Sequence, residues 1–204
     1  MTPEPDAVGA VERRLAVHGV APGARVIVIH VSASSAYRRW PRERFAQLAA
    51  TLAQDPWHHV IITSGPSESD AADDTAARAC STAGSAASRI LRCGEFDVAQ
   101  LRALIDRASL YIGGDSGPLH IAATTRTPIV ALFGPTVPER SMPWRDPALP
   151  TLSVDAGHLP CRPCDQRRCI PGDFRCLNNI EADRVIAAAR HVLAQSHTAP
   201  ALRK

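Results

Sequence analysis

The segment Gly114-Asp115-Ser116-Gly117-Pro118-Leu119-His120 carries the residue types of an anion site. Gly113, Gly114 and Gly117 let backbone approach a bulky anion with no Cβ in the way. Pro118 suits the first position of a helix, where a missing N–H costs nothing. The N–H groups of that helix start, around Ser116 to Leu119, can receive phosphate with help from the helix dipole. Asp115 would repel such an anion, so its chemistry is to accept hydrogen bonds from hydroxyls or backbone N–H groups. The same residues also describe a plain turn, with Asp115 or Ser116 as a helix cap and His120 as a packed histidine.

A second polar group precedes it. Ser32, Ser34 and Ser35 are followed by Arg38, Arg39, Trp40 and Pro41, and hydroxyls beside a guanidinium make a plausible phosphate clamp. The alternative is a solvated turn anchored by Trp40. Glu68 could accept from two ribose hydroxyls, or simply sit as an acidic residue at a helix start.

The third group is sulfur. Cys161, Cys164, Cys169 and Cys176 are separated by two, four and six residues on a Pro- and Gly-containing stretch. Thiolates at such short spacing can reach one tetrahedral ion, zinc first and iron second, with His158 as a substitute ligand. Free thiols and disulfides are the other readings. Cys80 and Cys93 read as ordinary buried or half-buried thiols.

These groups need a scaffold, and the hydrophobic pattern supplies one. Short β-branched or apolar runs at Val26 to Val31, Val60 to Thr63, Ser109 to Gly113, Thr127 to Phe133 and Thr151 to Val154 read as strands, with a shorter one at Arg89 to Arg92. Between them, Phe45, Leu48, Ala49 and Leu52 recur at helical spacing, as do Leu101, Leu104, Ile105 and Ala108. Helices are also predicted over Ser67 to Ala79 and Pro118 to Thr125, and on the Val185, Ala188, Ala189, Val192 face. Strand–helix alternation with short connections predicts an α/β fold, a doubly wound and mostly parallel Rossmann-like sheet with a cysteine-rich loop over 158–178. The domain is predicted over 23–195, after a linker with a short helix at 1–22 and before a disordered tail at 196–204. Both polar groups then fall at the carboxyl ends of strands, where open parallel sheets bind ligands.

Composition narrows the classes. The 204 residues are 45% hydrophobic and 4% aromatic, enough for a core built mainly of Ala, Val, Leu and Ile. A net charge of +3, with basic and acidic residues interleaved, argues against a nucleic-acid partner. No apolar run is long enough for a transmembrane segment, and the N-terminus lacks signal-peptide order, so a cytoplasmic protein with reduced thiols is expected.

The motif Arg38-Arg39-Trp40-Pro41-x-Glu43-x-Phe45-Ala46, then Gly65-Pro66, then Gly114-Asp115-Ser116-Gly117-Pro118-x-His120-x-Ala122-Ala123, then Ala131-Leu132-Phe133-Gly134-Pro135-Thr136 resembles glycosyltransferase family 9, the heptosyltransferases. The resemblance runs from about residue 24 to 194 and covers the C-terminal, donor-binding half of the two-domain GT-B arrangement. It implies inverting transfer from a nucleotide-diphospho-sugar, ADP-heptose-like, to a lipopolysaccharide core or other surface glycan. Ser34, Arg38, Asp115, Ser116, Gly117 and His120 would hold the donor's diphosphate and sugar, and Glu68 the ribose. Arg38 stands where many relatives carry Lys, which keeps the charge and changes the donor geometry. No organic cofactor is implied. The catalytic base is expected outside this chain, on an N-terminal acceptor domain or a separate chain. A donor-binding module without its own catalysis is therefore the alternative, and a metal-stapled interaction protein a third. A glycolipid acceptor is compatible with peripheral placement at the inner face of the bacterial inner membrane.

Overall fold

The computed structural model describes residues 3–198. Six strands, β1 (Arg25–His30), β2 (His58–Thr63), β3 (Ile90–Leu91), β4 (Leu110–Gly114), β5 (Ile129–Phe133) and β6 (Thr151–Asp155), form one sheet in the order β3-β2-β1-β4-β5-β6. Every neighbouring pair is parallel. The order reverses between β1 and β4, which opens a crevice beyond the carboxyl ends of those two strands.

The helices are α1 (Pro5–Val17), α2 (Arg42–Leu52), α3 (Ser69–Ala83), α4 (Val98–Arg107), α5 (Gly117–Ala123), α6 (Pro138–Ser141), α7 (Arg175–Asn178) and α8 (Ala182–Thr198). Alternation along each strand sorts them into two layers. Ile27, Ile29, Val60, Ile62, Ile112, Val130 and Leu132 face a core with α2, α3 and α8. Val26, Val28, Ile61, Tyr111, Ile129, Ala131 and Phe133 face the opposite core with α1, α4 and α5. Cover on both faces explains why β4 and β5 are buried at every position and read as unbroken apolar runs.

Residues 1–22, read as a linker with a short helix, hold the 13-residue α1, whose Ala7, Val11 and Leu15 are buried in the α4 and α5 layer. Spacing of four residues between those three sets one apolar stripe, and Arg107 of α4 pairs with Glu12 at 3.2 Å. The tail expected from Ser196 begins inside α8, which runs to Thr198, and 199–204 lie outside the described residues. Between β6 and α7 the chain is irregular over 156–174, the cysteine loop.

One residue fixes the connection after β1. Trp40 is 2% exposed, stacks edge-on against Phe45 at 4.7 Å, and donates Nε1–H to the Ile180 carbonyl at 2.9 Å. It pins the segment carrying Arg38 and Arg39 between α2 and the start of α8.

Candidate functional site

The crevice is lined by residues that the two polar segments bring from distant positions. Its walls include Ser32, Ser34, Arg39, Glu68, Ser116 and Gly117. Val26 and Val28 face the α4 and α5 layer, His30 follows them in steps of two, and the chain leaving β1 carries Ser32, Ala33 and Ser34 along the crevice. Phe96, Val98, Leu101 and Pro66 supply an apolar end.

Under the crevice lies a satisfied polar chain. Gly65 N–H donates to Ser32 Oγ at 2.8 Å, and Ser32 Oγ lies 3.2 Å from His30 Nε2. His30 Nδ1 lies 3.1 Å from Thr63 Oγ1, whose hydroxyl donates to the Ile29 carbonyl at 3.4 Å. The directions are consistent when Nδ1 carries the proton and Nε2 accepts from Ser32. Burial holds the His30 pKa down to about 4, so the ring is neutral at neutral pH.

At the rim stands Asp115, 5% exposed and directly after β4. Its Oδ2 accepts from Thr136 Oγ1 at 2.7 Å and lies 3.6 Å from Arg38 Nη1. The carboxylate thus accepts a hydroxyl hydrogen bond and faces a cation within the protein, which offsets the cost of burying its charge. Arg38 Nη1 also donates to the Asp115 carbonyl at 3.2 Å. Asp115 leads straight into α5, whose first turn has no side-chain cap, because the Ser116 hydroxyl turns back to the Gly114 carbonyl at 3.3 Å.

The three glycines divide by role. A Cβ on Gly113 would strike the buried Tyr111 ring and hydroxyl, and one on Gly114 would meet the Arg38 carbonyl at 3.2 Å. Both glycines serve packing within the protein. Gly117 alone of the three faces open space, and a Cβ there would meet nothing within 4 Å.

Four of the seven residues assigned to the donor line one crevice, namely Ser34, Glu68, Ser116 and Gly117. Asp115 and Arg38 meet each other at its rim. His120 does not join them. Leu119 and Ala122 are the buried positions of α5, so His120 emerges on the outer side and lines a different cavity with Arg126, Trp144 and Arg145. Glu68 is already engaged, its Oε1 paired with Arg39 Nη2 at 2.6 Å while Arg39 Nε holds the Ala33 carbonyl at 2.8 Å. The sequence reading names Ser32 and Arg39 in the clamp without revealing their partners, and His30 and Phe96 escape it altogether. The parity of β1 is the available signal for His30.

All four loop cysteines line a single cavity of ≈270 Å³, together with Tyr37 and Phe174. All six cysteines of the chain are free thiols. Gln166 N–H donates to Cys164 Sγ at 3.3 Å. The Cys176 thiol is pushed up, first by burial and then by the neighbouring Cys161. No three His, Cys, Asp or Glu among the described residues stand close enough together to hold an ion, so the four thiols share a cavity without forming a metal-binding group in this arrangement. The loop is anchored by Arg162, which donates to the Thr136 carbonyl and lies 3.1 Å from Asp155 Oδ2.

Among the described residues no helix is long and apolar enough to cross a membrane. Residues 2–171 match the model of glycosyltransferase family 9 (heptosyltransferase). Lipopolysaccharide heptosyltransferase 3 of Escherichia coli is 33% identical over 181 residues, covering 88% of this chain and 50% of that protein. The solved family 9 glycosyltransferase of Veillonella parvula superposes with a TM-score of 0.74 at 22% identity, covering 96% of this chain and 53% of the other. An iron-containing dodecameric heptosyltransferase, TibC, solved with ADP-D-β-D-heptose, superposes with a TM-score of 0.60 at 15% identity, covering 84% and 46%; the iron-containing form is from enterotoxigenic E. coli. The chain spans about half the length of these relatives. On the family match and the 33% identity, the chain belongs to glycosyltransferase family 9, the heptosyltransferase family.

Proposed function

We propose that the chain is the donor-binding half of a heptosyltransferase-type glycosyltransferase, with the diphosphate of a nucleotide sugar seated at the β1/β4 crevice. The observation that carries this is the convergence of Ser34, Arg39, Glu68, Ser116 and Gly117 on one crevice at the point where strand order reverses. Phosphate oxygens would take N–H groups at the start of α5 and the cations of Arg38 and Arg39. Ribose would reach Glu68 through the oxygen that Arg39 leaves free, and the base would lie toward Phe96 and Val98.

In inverting transfer an acceptor hydroxyl attacks the anomeric carbon, the bond to the diphosphate breaks, and negative charge grows on the leaving group. Arg38, Arg39 and the α5 amides would stabilise that charge, while the hydroxyl proton must pass to a base. We assign that base to a partner segment, an N-terminal half of the kind that completes the relatives' length. An ADP-heptose-like donor and a lipopolysaccharide-core acceptor follow from the relatives' names, and such an acceptor would bring the chain to the inner face of the inner membrane. Cys161, Cys164, Cys169 and Cys176 would hold a structural zinc or iron that staples the loop. The shared cavity supports that reading.

Calorimetry with ADP, UDP and GDP tests the donor site. Saturable binding of one of them, strongest for ADP, is the expected result, and no binding of any would refute the reading. Transfer assays with and without an N-terminal half separate an active domain from a binding module.

A further inference from the structure

Arg38 joins the crevice rim to the cysteine loop. Its Nε donates to Gln166 Oε1 at 2.8 Å, and its Nη1 donates to the Asp115 carbonyl at 3.2 Å. Two of its three nitrogens are thereby fixed, one by each side. The third, Nη2, has no hydrogen bond or ion pair among the described residues. The side chain is one-third exposed, at 33%.

Gln166 is itself held in place. Its backbone lies in the left-handed region at φ 62, and its N–H reaches Cys164 Sγ. Next to it, the Arg167 carbonyl accepts from Tyr37 Oη at 2.9 Å, and the Tyr37 ring lies 5.5 Å from that of Phe174. The loop therefore grips residues 37 and 38 at three points, and one of them ends on the guanidinium.

We propose that Gln166 is a positioning residue: its amide oxygen holds the Arg38 guanidinium against Asp115, with Nη2 presented to the donor diphosphate. This rests on the donor reading above. A long side chain loses much rotamer freedom when it must meet a ligand, and fixing it beforehand removes that cost from the binding step. A planar guanidinium is the right group for such a device, since fixing Nε and Nη1 also fixes the direction of Nη2. The cysteine loop thus acts on the donor site through one hydrogen bond, from Arg38 Nε to Gln166 Oε1.

The test is a double-mutant cycle on ADP affinity, with melting temperature recorded for each variant. Arg38→Ala should weaken ADP binding about 10- to 100-fold. Gln166→Gly deletes the amide at a backbone angle that glycine adopts freely, so it should leave the melting temperature near wild type. It should nonetheless weaken ADP about 3- to 10-fold in the Arg38 chain and have no effect in the Arg38→Ala chain. Gln166→Glu, which keeps an acceptor oxygen at the same reach, should recover most of the lost affinity. An equal loss in both backgrounds, or no loss in either, overturns the positioning role while Arg38→Ala still reports a working donor site. Unchanged ADP affinity in Arg38→Ala overturns the role of Arg38 in donor binding, and the proposal with it.

Discussion

The crevice and the cysteine loop both meet the segment that follows β1, and they are built differently. Crevice residues stand at the ends of strands whose flanks are buried on both faces, over a polar chain that leaves His30 and Ser32 partnered. The loop over 156–174 has no regular structure, and single side chains hold it: Arg162 on Thr136 and Asp155, Tyr37 on Arg167, Arg38 on Gln166. One region inherits its geometry from the core. The other takes it from a few polar contacts and, on our proposal, from a metal. Damage to crevice supports should therefore lower global stability, whereas damage to the loop should change binding and leave the sheet intact.

Trp40→Ala is the largest test of that contrast. Removing a buried indole should cost about 3–5 kcal/mol in urea or guanidinium unfolding. A loss under about 1 kcal/mol would mean that the segment after β1 is not held by the core.

Acid comes next. The folded chain keeps His30 neutral down to a pKa of about 4, whereas the unfolded chain binds its proton from about 6.5. Between those values the unfolded state carries more protons, so stability falls as pH falls through the window and is flat above it. The contribution is up to about 3 kcal/mol. Denaturant unfolding at a series of pH values should show this slope, and His30→Gln should flatten it.

Two glycines give a smaller and more discriminating pair. Gly113→Ala drives a methyl into Tyr111 and should destabilise by about 1–3 kcal/mol. Gly117→Ala meets no protein atom and sits at the first position of α5, so it should leave stability unchanged or raise it by up to about 1 kcal/mol. The same methyl would stand where the diphosphate approaches, and ADP affinity should fall. Equal behaviour of the two variants in unfolding would erase the distinction between packing glycine and ligand-facing glycine.

On the loop side, Cys164→Ser should shift global unfolding by under about 1 kcal/mol. Its effect belongs in metal content of the purified chain and in proteolysis within 156–174. A large fall in the global midpoint would show that the loop shares the core's cooperativity.

Much of the fold is legible in the sequence because burial on both faces writes strands as apolar runs, as Val26 to Ile29 and Ile129 to Phe133 do. A short helix is legible at 1–22 as well, yet the Pro-rich start makes that segment read as a linker and hides that Ala7, Val11 and Leu15 pack into the core. For the site, the motif residues Ser34, Ser116 and Gly117 reach one crevice because each closely follows a strand. Long-range pairings are not legible. Nothing local tells that Arg39 occupies Glu68, or that Gln166 reaches back to Arg38. His120 lands elsewhere because Leu119 and Ala122 are the buried positions of α5, which leaves His120 facing a different cavity with Arg126, Trp144 and Arg145.

The most direct test is titration of the purified chain with ADP, repeated with Asp115→Ala. Saturable one-site binding in the parent chain, weakened at least about 10-fold in a variant that still melts cooperatively, is the expected outcome. Equal ADP affinity in the two chains would contradict a donor diphosphate at the β1/β4 crevice.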